Sequence, residues 1–197
     1  MSEHPQPADH KQQTLISQAR QGDAAAWETL VGQHQEAVFR LAYLLLGDAD
    51  EAKDAAQEAF IRAFRALHQF DTTRPMRPWL LRITTNLVYN RRRAVGRYLA
   101  AIQRLVRLTP EPVMAPTPEA SLPSEESALL WQAVRRLNPA DQEIIYLRYF
   151  LELSVAETAE AANIAPGTVK SRLSRALGRL RQVIAREFPG LWKEHVA

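Results

Sequence analysis

The sequence predicts an all-α protein of two helical domains, over residues 13–108 and 124–190, joined by a proline-rich linker. Three observations carry that prediction. Apolar residues recur at helical spacing through most of the chain, as in Trp27, Leu30, Val31, Val38, Leu41 and Leu45. Residues 109–123, TPEPVMAPTPEASLP, hold five prolines and two acids and follow neither the helical nor the strand period, so they form an extended, semi-stiff tether. Residues 154–181 carry the start, stop and restart signals of two helices joined by a turn.

Composition bounds the function classes. With 46% hydrophobic and 24% charged residues, the 197-residue chain has an ordinary globular composition. It has no cysteine, which excludes disulfides and thiolate zinc sites and suits a reducing cytoplasm. The start, MSEHPQPADHKQQ, is polar, lacks an apolar export segment, and is expected to be disordered over residues 1–12. No later stretch approaches the roughly 18 apolar residues of a membrane span, so a cytoplasmic protein with no membrane insertion is expected. The net charge of +3 conceals a strong segregation. Residues 71–108 carry nine basic side chains against the single acid Asp71, residues 166–186 carry six against none, and the remainder is acidic. Two cationic patches on an acidic chain imply two places for a polyanion.

In chain order, residues 15–20 and 23–46 read as helices separated by Gly22, with Asp23 as the N-cap of the second. Gly47 and Asp48 precede a helix to about residue 67, acidic first (Asp50, Glu51, Asp54, Glu58), then apolar and basic (Phe60, Ile61, Phe64, Arg62, Arg65). That order suits the helix dipole, and the acids also offer a contact surface. The loop HQFDTTRPMRP at residues 68–78 leads to a helix from about Trp79 past Arg93, on which Trp79, Ile83, Leu87 and Val88 face a core. Arg82, Asn86, Asn90 and Arg93 form another line of amides flanked by guanidiniums, groups that read base edges, as aromatic and planar groups stack on unpaired bases. Past the linker, helices are expected at about 124–137 and 140–150, divided by Asn138-Pro139, with Asp141 near the start of the second. Trp27, Phe39, Phe60, Phe64 and Trp131 are expected in cores, and His34 at the surface or a cap.

Ser154 and Glu157 match a capping box. Val155, Thr158, Ala159 and Ala162 give the helix that follows a small-residue face, and Asn163 to Pro166 break it before Gly167 and Thr168 open the next. That next helix buries Val169, Leu173, Leu177 and Leu180 and carries Lys170, Arg172, Arg175, Arg179 and Arg181. This order is that of a helix-turn-helix, whose second helix presents its N-terminal residues to base edges in the major groove. Here those are Thr168, Lys170, Ser171, Arg172 and Arg175; Arg and Lys suit guanine O6 and N7, and Ser and Thr serve a base or a phosphate.

Taken together, DAAQEAFIRAFRAL (54–67), PWLLRITTNLVYNRRR (78–93) and LNPADQEIIYLRYFLELSVAETAEAANIAPGTVKSRLSRAL (137–177), with the intervening linker, resemble a bacterial sigma factor of the extracytoplasmic-function (ECF) class over residues 15–186. The resemblance implies a region-two domain that binds the RNA polymerase beta-prime clamp and the melted minus-10 element. It implies a region-four domain that binds the polymerase beta flap and the minus-35 duplex. It assigns Asp54, Gln57, Glu58, Phe60 and Ile61 to core-polymerase binding, and Arg74, Arg77, Trp79, Arg82, Asn86, Asn90 and Arg93 to minus-10 DNA. Thr168, Lys170, Ser171, Arg172 and Arg175 go to minus-35 DNA. Asn90 stands where many members carry Asp. The family further implies an anti-sigma partner, no cofactor and no catalytic residue.

Two other classes compete. A dimeric helix-turn-helix regulator would bind a palindromic duplex without being a polymerase subunit, and leaves the acidic half-helix and the second basic patch unexplained. An enzyme using Asp50, Asp54 and Glu58 as metal ligands finds no support in the scattered histidines His4, His10, His34, His68 and His195, nor in any nucleophile and base pair.

Overall fold

The computed structural model describes residues 7–106 and 125–193, which are helical with no strand among them. The helices are α1 (Pro7–Arg20), α2 (Ala24–Leu46), α3 (Ala49–Ala66), α4 (Met76–Val106), α5 (Glu125–Arg135), α6 (Pro139–Ile145), α7 (Val155–Ala162), α8 (Pro166–Glu187) and α9 (Gly190–Lys193). They form two compact units, one built on α1 to α4 and one on α5 to α9. The expected linker at 109–123 lies outside the described residues, as do residues 1–6 of the stretch expected to be disordered.

In the first unit α2 packs on α1 and α4. Its core is Ile16 and Ala19 from α1, Leu30, Val38, Leu41 and Leu45 from α2, and Met76, Leu80, Leu81, Leu87 and Val88 from α4. Helix α1 begins at Pro7 rather than Leu15, so residues 7–12, expected to be disordered, are helical; proline suits a first turn because its missing N–H would have no helical partner there. Asp23 caps α2 as expected, its Oδ1 accepting from the N–H groups of Ala25 at 2.9 Å and Ala26 at 3.2 Å. Gly22 and Gly47 take φ of +94° and +82° after α1 and α2, a region that costs glycine nothing.

Helix α3 buries alanines, Ala52, Ala55, Ala59 and Ala63, at spacings of three and four. That stripe corrects the expectation that the aromatics are core. Each residue advances about 100° around a helix, so burying Ala59 and Ala63 turns Phe60 and Phe64 outward. Phe64 is 49% and Ile61 46% exposed, while Trp27, Phe39 and Phe60 are half-buried. Trp27 lies against Phe60 and Phe64 with ring centroids 6.3 and 5.2 Å apart. Of the five aromatics, Trp131 alone is fully buried.

His34 on α2 is half-buried, and its Nε2 has no hydrogen-bond partner among the described residues. Burial first, and the Arg77 cation second, hold its pKa below the ordinary imidazole value of 6.5. The folded chain therefore resists a proton that the unfolded chain accepts below that value, so stability is complete above it and declines as pH falls through it. Thermal melts at pH 7.5 and 5.5 are expected to show this acid-side loss, and the variant His34→Gln to lack that component; equal losses in both proteins would exclude it.

In the second unit α8 packs on α6 and α7. The expected 140–150 helix is α6 followed by a π-helical turn, Tyr146–Phe150, that buries Tyr146 and Leu147 and lets the chain reverse through Glu152, at φ +56°. Asn138 caps α6. Ser154 and Glu157 form the expected capping box, Ser154 N–H donating to Glu157 Oε2 at 2.8 Å and Glu157 N–H to Ser154 Oγ at 3.1 Å. Asn163 ends α7 in the left-handed region, with Ile164 N–H donating to Ala159 C=O at 2.9 Å and Asn163 N–H to Glu160 C=O at 3.2 Å. These two bonds form a Schellman closure. Only three residues then separate α7 from α8, which starts at Pro166.

Candidate functional site

Helix α8 buries Val169, Ala176 and Leu180 and turns its basic side outward. Lys170, Ser171 and Arg175 are exposed, and Thr168 and Arg172 half-buried, so the first two turns present five hydrogen-bonding side chains on one length of helix. Ser171 Oγ donates to Thr168 C=O at 3.2 Å and Arg175 Nε to Ser171 C=O at 3.2 Å, which leaves the outer guanidinium nitrogens of Arg175 for a ligand. Arg179, expected with the basic residues of this helix, has a different occupation. Its Nε and Nη2 donate to the buried Asp141 carboxylate at 2.6 and 3.0 Å. Asn138 Nδ2 adds a third donor to that carboxylate at 2.7 Å. One basic residue of this helix is thus a tie to α6 rather than part of the outward cationic side.

In the first unit the loop before α4 is closed by Asp71, whose Oδ1 accepts from the Thr73 hydroxyl at 2.6 Å and the Thr73 N–H at 3.0 Å. Those bonds, the hydroxyl's first, hold the Asp71 carboxyl below its ordinary pKa. Arg74 lies 3.4 Å from Asp71 Oδ2, and Trp79, half-buried, packs its ring 4.7 Å from that of Phe70. Along α4, Asn86, Asn90 and Arg93 are exposed, and Arg77 and Arg82 half-buried. Arg93 Nη2 donates to Asn90 Oδ1 at 3.1 Å, fixing the amide so that its N–H donors point to the remaining space. Arg92 is withdrawn from this face: its Nη2 donates to Leu45 C=O at the end of α2.

On α3, Asp54 and Gln57 are exposed and Glu58 half-buried, held to Arg62 at 2.7 Å. The Arg62 hydrogen bond is the main reason the Glu58 carboxyl stays below its ordinary pKa. Asp50 pairs with Lys53 at 3.3 Å. Glu58 and Asp50 thus pair with cations on their own helix, and no group of three or more metal-ligating side chains occurs among the described residues. Beside them Trp27, Phe60, Ile61, Phe64 and Arg65 line a shallow apolar hollow.

The expected site residues lie on α3, on α4 and the loop before it, which carries Arg74, and on the start of α8. Sequence reasoning missed the supports: Asp141 and Arg179, 38 residues apart, and Arg20, whose guanidinium reaches carbonyls 47 and 50 residues away. No local pattern marks such pairs.

A helix-turn-helix unit and a separate helical unit with a polar and basic helix face suit a protein that binds DNA. The family models agree: that for Sigma-70 region 2 matches residues 30–98, and that for Sigma-70 region 4 matches residues 127–180. Among full-length relatives, the chain is 34% identical over 174 residues to the ECF RNA polymerase sigma factor SigW of Bacillus subtilis, covering 85% of this chain and 93% of that one. It is 34% identical over 172 residues to the ECF RNA polymerase sigma factor SigL of Mycobacterium tuberculosis, covering 84% and 93%. Among solved structures it is similar to CnrH in complex with the cytosolic domain of CnrY, with a TM-score of 0.65 and 25% identity over 90% of this chain and 99% of that one. It is also similar to the sigma factor RpoE in complex with the anti-sigma factor NepR from Bartonella quintana, at a TM-score of 0.62 and 25% identity over 81% and 97%. The chain belongs to the ECF RNA polymerase sigma factors. These are initiation factors rather than enzymes, and neither the free-standing dimeric regulator nor the metal hydrolase is supported. No helix among the described residues is long and apolar enough to cross a membrane.

Proposed function

We propose that this chain is an alternative sigma factor that binds core RNA polymerase, directs it to specific promoters and helps to melt the minus-10 element. The observation that carries the proposal is that two cationic helix faces lie on separate compact units, the first of which also carries an exposed apolar and acidic patch on α3. Asp54, Gln57, Glu58, Phe60 and Ile61 dock on the beta-prime clamp, joined by Phe64 and Trp27; an exposed aromatic cluster rimmed by charge is the usual form of a protein interface. Arg74, Arg77, Trp79, Arg82, Asn86, Asn90 and Arg93 hold the unpaired minus-10 strand. Opening costs a few kcal/mol per unstacked base, offset by amide donors for the base and guanidiniums for the phosphates. Thr168, Lys170, Ser171, Arg172 and Arg175 read the minus-35 duplex, and the second unit meets the beta flap. The polymerase supplies the bond-forming chemistry, so the factor needs no cofactor. Its site of action is the cytoplasm, and an anti-sigma protein holds it inactive, as NepR is bound to RpoE.

In vitro transcription with core enzyme and a promoter library tests this function and yields the sequence preference together. The isolated chain is expected to bind promoter duplex weakly and the holoenzyme strongly; tight binding by the chain alone with no stimulation of core would overturn the proposal. Asp54→Arg, at an exposed position on the docking face, is expected to weaken core binding by about tenfold, or ~1.4 kcal/mol, with the helical content unchanged. Titration of labelled core measures it, and an unchanged affinity would remove Asp54 from the interface.

A further inference from the structure

Helix α1 lies before the matched Sigma-70 region 2, which begins at residue 30. It is nevertheless bonded, through its middle and its last residue, to the 3-10 turn and loop that precede α4. Arg20 Nε donates to Leu67 C=O at 3.0 Å, Arg20 Nη2 donates to Phe70 C=O, and Gln13 Nε2 donates to Thr72 C=O at 3.3 Å. Leu67 opens the 3-10 turn Leu67–Gln69 and its C=O also accepts from Phe70 N–H at 3.2 Å, so Arg20 is a second donor to a carbonyl at a helix end, where unpaired carbonyls collect. A guanidinium is the one side chain that spans two carbonyls with a rigid planar fork. The other side of the loop is closed by Asp71 on Thr73 and by the Phe70 ring on Trp79. Ile16 and Ala19, buried on the inner face of α1, fix the helix from which Arg20 and Gln13 reach out.

We infer that Arg20 and Gln13 are positioning residues for minus-10 recognition: α1 splints the loop at residues 70–75, and so sets how sharply Asn86 and its neighbours discriminate the unpaired base. The inference rests on the proposed assignment of this loop and α4 face to the melted strand. A loop loosened by loss of one or two backbone bonds samples more positions, which broadens base preference without removing any group that touches DNA.

The test uses holoenzyme made with the full chain and a promoter library randomised over the minus-10 element, reading the activity ratio between preferred and single-mismatch elements. Arg20→Gln is expected to lower that ratio by about fivefold, the factor that accompanies loss of a hydrogen bond's worth of positioning. Gln13→Ala lowers it less, and both leave core affinity and minus-35 duplex binding unchanged. Arg20→Lys restores thermal stability but not the ratio, because an ammonium lacks the planar fork that reaches both carbonyls. If Asn86→Ala flattens the preference while Arg20→Gln and Gln13→Ala keep it, the loop assignment stands and the splint is overturned. If all three keep it, the loop assignment fails and takes the splint with it. A fall in melting temperature and core binding together, at constant preference, would make Arg20 merely structural and equally overturn the inference; Gln13→Ala decides the matter if Arg20→Gln does not fold.

Discussion

Replacing Arg172 or Arg175 by alanine is expected to weaken holoenzyme binding to the minus-35 duplex by about tenfold to a hundredfold for each residue, with core binding unchanged. The packing of α8 makes these variants clean tests. Val169, Ala176 and Leu180 carry the buried side of the helix, and the exposed Arg175 donates to Ser171 C=O within its own helix. Alanine also has the higher helix propensity, so a loss of binding cannot be traced to a lost helix. Fluorescence titrations at several salt concentrations separate two roles. A phosphate contact lowers the slope of log affinity against log salt by about one and weakens all sequences alike, whereas a base contact relaxes selectivity at one position. A folded variant that loses core binding, or keeps full duplex affinity, would contradict the assignment of these side chains.

Asp141→Ala is expected to lower the melting temperature of the second unit by about 5–10 °C and to weaken minus-35 recognition although Asp141 is buried, at 2% exposure. Its carboxylate collects three donors, two from Arg179 and one from Asn138. The same aspartate N–H donates to Asn138 Oδ1 at 3.0 Å, so one residue closes the start of α6 and ties α6 to α8. The side chain of Arg179 is 46% exposed, and water can take over its donors when the partner is removed. The loss is therefore smaller than for a fully buried pair. A double-mutant cycle between Asp141→Ala and Arg179→Ala, read by thermal melting and by duplex titration, measures the coupling. Additive effects in both readouts would show that the pair does not aim the helix.

The legibility of this chain followed the range of the interactions involved. The Ser154 to Glu157 capping box, the Asp23 cap and the short turn into α8 are bonds between residues two to five apart, and they form where the spacing put them. The line Arg82, Asn86, Asn90 and Arg93 is a property of helical period alone, and it stands as one face. Prediction failed where two equally periodic faces competed. On α3 both the alanines and the phenylalanines recur at helical spacing, and hydrophobicity favours the larger side chains for the core. The fold buries the alanines instead, which puts Phe64 and Ile61 at the surface. Likewise, Arg92 and Arg179 are indistinguishable in sequence from the basic residues beside them. One caps α2 and the other binds Asp141.

The amino-acid sequence by itself determined the helical class, the order of the elements, the two cationic segments and membership of the sigma family, because periodicity, caps and motif spacing are encoded within a few residues of one another. Tertiary structure alone decided which arginines are tied up within the fold, as Arg92 and Arg179 are, which face of α3 is buried, and that α1 is bonded to the segment ahead of α4. Those outcomes depend on carbonyls and carboxylates brought from 38 to 59 residues away, and a side chain's availability is set by whatever the fold places against it.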